Sequence, residues 1–175
     1  MIGDPRGRMP RRRAAVGFGL LGVALLGGCA AEPTPQPAAT RPDTPSASAS
    51  VPAEIVGTRI RFSSDRTTID VTIGEDSPAV RDLLSLLPAE LSFEDLNSRE
   101  KIASLPRELA WQGSPGSDPE DGDLIYYTPW GNLGFYYDAS GIEYSDDTLH
   151  IGTYDATEEQ LSLLVGGPVT LEIID

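Results

Sequence analysis

Residues 122–138, GDLIYYTPWGNLGFYYD, hold Trp130 and five other aromatic side chains in a chain otherwise poor in them. Aromatic faces at this density either line a ligand site or fill a core. A two-residue period sets Leu124, Tyr126 and Thr128 against Ile125 and Tyr127, and Leu133, Phe135 and Tyr137 against Gly134, Tyr136 and Asp138. Both faces are then apolar or aromatic, as in a barrel wall covered outside by helices, so core packing accounts for most of the cluster. Trp130 is the exception, because it falls in a turn and turn tips are seldom buried. It is the residue expected to touch a ligand, with Tyr127, Asn132 and Arg107 as its neighbours.

Other chemistry lacks its parts. His150 is the single histidine and sits in a strand pattern without a nucleophile elbow, so no Ser-His-Asp arrangement is assembled. It is expected to face solvent or a backbone group. A zinc site needs three or four His, Cys or carboxylate ligands. Asp118, Glu120, Asp121 and Asp123 are oxygen ligands suited to calcium, but their spacing is not that of an EF-hand, and a solvated acidic loop is the simpler account. Asp146 and Asp147 are read the same way. No glycine-rich phosphate loop is present. No metal, no cofactor and no catalytic residue is therefore expected.

The N-terminal segment carries a different kind of chemistry. Arg6, Arg8 and Arg11 to Arg13 precede an apolar run over residues 14–26, which is too short to span a bilayer and has the length of a signal-peptide core. The run ends in Leu26-Gly27-Gly28-Cys29, and Cys29 is the only cysteine. This order resembles the lipobox signal of bacterial lipoproteins. The resemblance implies that residues 1–28 are removed and that Cys29 is acylated, anchoring the chain to a membrane. Two acyl chains hold durably where one is marginal, each buried methylene contributing about 0.8 kcal/mol. Five of the 13 basic and one of the 27 acidic residues lie in the leader, so the remainder carries 8 against 26, a net charge of −18. Such a surface repels nucleic acid. After Arg107 there is no Lys or Arg, which leaves an anionic ligand few partners.

Residues 29–53, beyond Cys29 itself, are mostly Pro, Ala, Ser and Thr with little to bury, and read as an extended tether. At about 3 Å per residue it reaches roughly 70 Å from the membrane. Residues 54–175 then form one domain of short strands: IVGTRIRF (55–62), TTIDVTI (67–73), LIYYT (124–128), LGFYYD (133–138), TLHIGTY (148–154) and PVTLEII (168–174), with ELSFEDL alternating as well. SPAVRDLLSLLP has helical spacing, with Ser77 as N-cap, Pro78 at the first position and Pro88 as a stop. TEEQLSLLVGG is a second helix opened by a Thr157–Gln160 capping box. REKIASLPREL reads ambiguously, with a short helical turn before Pro106 as one expectation. Such an order of elements suggests a closed β-barrel capped by helices.

The same order, with Glu100-Lys101-Ile102-Ala103, Gly122-Asp123-Ile125-Tyr127 and Pro129-Trp130-Gly131-Asn132-Leu133, resembles the cyclophilin-like domain of bacterial proteins of unassigned function. The resemblance spans residues 60–174. It implies a barrel of about eight strands with a helix over each opening. The isomerases that share this barrel set an arginine beside a phenylalanine, followed by Met-Gln-Gly. No such segment occurs here; Arg107 lies in Leu-Pro-Arg-Glu-Leu, and no catalytic position carries over.

The expectation is therefore a lipid-anchored protein at the outer face of the cytoplasmic membrane or in the cell envelope. It binds a small molecule or peptide and does no catalysis. The alternatives are a peptidyl-prolyl isomerase acting on exported proteins and a purely structural envelope protein.

Overall fold

The computed structural model describes residues 52–174. The expected signal peptide, Cys29 and all but the end of the tether lie outside the described residues. Alternating β-branched residues give β1 (Arg59–Ser63) and β2 (Thr68–Ile73) as an antiparallel hairpin, closed by the Ser64 N–H donating to the Thr67 carbonyl at 2.9 Å. Next comes α1 (Pro78–Ser85), whose N-cap Ser77 accepts from the Val80 N–H. The chain continues through β3 (Ala89–Ser92), β4 (Glu94–Leu96), β5 (Glu100–Ser104), β6 (Asp123–Tyr127), β7 (Asn132–Tyr136) and β8 (Thr148–Tyr154). Helix α2 (Glu158–Ser162), opened by the Thr157–Gln160 capping box, and β9 (Pro168–Ile174) complete it.

Nine strands form one antiparallel sheet in the order β3-β9-β1-β2-β8-β6-β7-β5-β4. The first and last members are halves of one run. β3 pairs with β9 and β4 with β5, and only Phe93 separates them. Phe93 leaves the ladder, bridges to Val165 and is buried. That single bent run brings the two sheet edges together, so the barrel is nearly closed. The barrel expected with about eight strands is thus observed with nine, because one long strand breaks at a buried aromatic.

The interior is continuous. Phe135 packs edge-on against Phe62 (4.8 Å between ring centroids) and Tyr154 (5.0 Å), and tilted on Phe93 (5.6 Å). From α1, Ala79, Val80, Leu83 and Leu84 join the same core, as does Leu161 from α2. Fully burying one such side chain is worth about 1.5–3 kcal/mol. Tyr126 is wholly buried, and its hydroxyl accepts from the Leu109 N–H at 3.1 Å.

Two expectations are corrected. Residues 100–104 are a strand, not a helical turn: Glu100 and Ile102 point out of the barrel while Lys101 and Ala103 point in, and a buried lysine hides that alternation in the sequence. Nor, among the described residues, does a helix cover the outer face of β6 and β7. Ile125 and Tyr136 pack instead against Ala139 and Ile142 of the loop that precedes β8.

Candidate functional site

The outer face of β5, β7 and β6 builds the site by register alone. Glu100 lies opposite Tyr136, Gly134 opposite Ile125, and Asn132 opposite Tyr127. Period-two alternation puts all of these on one face. Gly134 is its low point: a Cβ there would come 2.7 Å from Glu100 Oε2 and 3.3 Å from Ile125 Cδ1. The missing side chain lets the Glu100 carboxylate lie across β7.

One end of this hollow is raised by the β6–β7 turn. The Tyr127 carbonyl accepts from the N–H groups of Trp130 (3.3 Å) and Gly131 (2.9 Å), and Gly131 takes φ +63, a conformation that glycine adopts without strain. The turn projects Trp130, 60% exposed, at a right angle to Tyr127, with ring centroids 5.5 Å apart. Ile142 and Glu143 form the facing wall. Their loop is pinned where Ser117 and Ser145 exchange backbone hydrogen bonds of 3.2 and 3.0 Å. Together these elements enclose a cavity of about 380 Å³.

Its electrostatics are one-sided. The charged side chains on its wall are Glu100 and Glu143, both acidic. Burial pushes the Glu100 carboxyl above its ordinary value, against a smaller opposing pull from Arg99. Arg99 itself is committed elsewhere, donating to the carbonyls of Asp138 and Ser140. Burial, with help from Glu100, pushes the Tyr136 phenol up to about 12. Asn132 is only 4% exposed, and its Oδ1 has no hydrogen-bond partner.

Of the four residues expected at a ligand site, Tyr127, Trp130 and Asn132 meet in this cavity. Arg107 does not join them. Its guanidinium grips Asp82, Nη2 to Oδ1 at 3.0 Å, and it borders a separate depression behind Trp130. Glu100, Gly134 and Tyr136 escaped the sequence reading. The alternation that groups Gly134 with Tyr136 was legible, but Glu100 needs the register of β5 on β7, which no local pattern encodes.

Several other titratable groups are partnered. His150 Nε2 lies 3.5 Å from Asp123 Oδ1, and that contact raises the imidazole pKa despite burial. His150 therefore meets a carboxylate, where solvent or a backbone group was expected. Asp121 accepts from the Ala139 N–H at 2.6 Å and Asp123 from the Glu120 N–H at 2.9 Å, so two residues of the acidic loop fasten backbone. Lys101, 3% exposed, bonds to Asp95 and to the Tyr137 hydroxyl, holding the Asp95 carboxyl down to about 2. A depression of about 460 Å³ is lined by Arg59 and Asp70, which pair at 2.5 Å, and by Asp155.

Comparison with known proteins agrees with this architecture. Residues 62–173 match the model of a family described as the Cyclophilin-like family. The solution structure of a hypothetical protein from Archaeoglobus fulgidus is similar in fold, with a TM-score of 0.52 at 16% identity, over 70% of this chain and 98% of that one. No curated protein matches.

Proposed function

Since the chain belongs to the cyclophilin-like family, we propose that it is a binding module. It takes a small molecule or an extended peptide in the outer-wall cavity and performs no catalysis. The observation that carries this is the meeting of Tyr127, Trp130 and Asn132 in one hollow of about 380 Å³. Apolar walls with a few convergent polar groups, at this volume, are the ordinary make-up of a small-molecule site. An indole as exposed as Trp130 costs apolar hydration that a bound ligand would relieve, at about 25 cal/mol per Å² covered. Arg107, the arginine that an isomerase reading would turn to, is neutralised by Asp82 away from the cavity.

The module works at the outer face of the cytoplasmic membrane or in the envelope, hung from acyl chains on Cys29 by the tether. Two measurements test these statements. Tryptophan emission should shift on ligand binding in the native chain and not in Trp130→Phe, because Trp111 is tied by its indole N–H to Glu108 at 2.9 Å. Turnover of a proline peptide that is lost in Arg107→Ala would replace the module with an isomerase. For the anchor, Cys29→Ser should move the protein from the membrane pellet to the soluble fraction.

A further inference from the structure

We infer that the outer-wall cavity receives the positively charged head of its ligand, an alkylammonium or guanidinium group, between Glu100 and the Tyr127–Trp130 pair. This rests on the binding function proposed above and adds the ligand's chemistry. Three independent observations support it.

The first is an unbalanced carboxylate. Several half-buried acids elsewhere among the described residues face a basic side chain: Asp70 meets Arg61, Asp82 meets Arg107 and Asp123 meets His150, while Glu75, outside this cavity, also has a buried oxygen without a partner. Glu100 is half-buried and has neither a hydrogen bond nor an ion pair among them. A shielded carboxylate without a partner loses hydration that nothing replaces, and a ligand cation would replace it.

The second is the unpartnered Asn132 Oδ1 in a side chain almost wholly buried at the same wall. An acceptor in that state is unsatisfied until an N–H donor arrives. Ammonium and guanidinium groups carry only donors.

The third is the shape of the aromatic wall. Tyr127 and Trp130 stand at 87° to one another, with Tyr136 beyond. The contact is edge to face, and a ring face that it leaves open to the cavity attracts an organic cation through its negative quadrupole. Glu143 adds a second acidic group at the rim, no Lys or Arg lines the cavity, and the chain's acidic surface draws cations toward it. An anionic ligand would meet repulsion at every one of these groups.

The test is calorimetric titration of the full chain with four probes. They are agmatine, the peptide acetyl-Gly-Gly-Arg-Gly-Gly-amide, its citrulline counterpart, which keeps size and shape without the charge, and the neutral peptide acetyl-Ala-Pro-Phe-Ala-amide. Agmatine or the arginine peptide should bind, the citrulline peptide at least about tenfold more weakly. Agmatine alone would mark a free amine as the source, and the arginine peptide alone a side chain. Glu100→Gln should remove roughly tenfold of the cation affinity and leave the citrulline peptide unchanged. Equal binding of arginine and citrulline peptides, or a Glu100→Gln variant with unaltered affinity, overturns the inference. So does binding of the neutral proline peptide alone, which would preserve the module reading. If none of the four binds or perturbs Trp130 emission, both fall together.

Discussion

Glu100 sits where its surroundings disfavour its charge, and that has a measurable sign. The folded state holds the Glu100 proton more tightly than the unfolded chain, because burial raises its pKa above 4.5. Stability is therefore lost as pH rises from that ordinary value through the raised one, and the loss persists at neutral pH. Glu100→Gln should melt higher than the native chain at pH 7 by less than about 1 kcal/mol, solvent screening limiting the gain, while the two converge near pH 3. Binding capacity would thus be kept at some expense in stability. His150 has the opposite sign. Its contact with Asp123 raises its pKa above 6.5, so the stability it contributes is complete below that value and lost as pH rises through the raised one. Because it is the only histidine, thermal melts between pH 6 and 8 should slope downward in the native chain and flatten in His150→Gln. Trp130, Tyr127 and Asn132 were legible because a turn exposes what it carries and alternation places its flanks. Glu100 was not, since its environment is made by residues 32 to 36 positions away.

At the scale of elements, the helices and the β6–β7 hairpin were readable from caps, prolines and a glycine that accepts positive φ. Strand β5 was not, because Lys101 occupies an inward position. It is held there by Asp95 on the neighbouring β4 and by Tyr137. Removing Asp95 leaves a buried ammonium short of a partner, while removing Lys101 leaves a carboxylate that water can reach. Asp95→Asn should accordingly cost more than Lys101→Met, about 1–3 kcal/mol by denaturant unfolding. The glycines of the sheet follow the same logic of close approach. At Gly152 a Cβ would fall 2.3 Å from the Thr72 carbonyl oxygen, where β8 pairs with β2. Gly152→Ala must therefore push two backbones apart. Gly134→Ala meets only the tip of Glu100 and the flexible end of Ile125, so it should fold and lose ligand affinity.

The described domain is a barrel whose class could be read from short alternating strands, but whose closure could not. Closure depends on Phe93 breaking one run so that its halves serve opposite sheet edges. The core that this permits centres on Phe135, and Phe135→Ala should cost about 3–5 kcal/mol with the cavity it leaves. Placing that core inside frees the outer wall for the cavity, and an acidic exterior without a cation beyond Arg107 sets what the wall can attract. The most direct test of this account follows the amide and indole N–H resonances of the full chain during titration with agmatine. The Trp130 indole and the Asn132 side-chain amide should shift together and saturate at one dissociation constant, while the Trp111 indole stays in place. Unmoved resonances at Trp130 and Asn132, or shifts confined to the Arg107–Asp82 face, would contradict it.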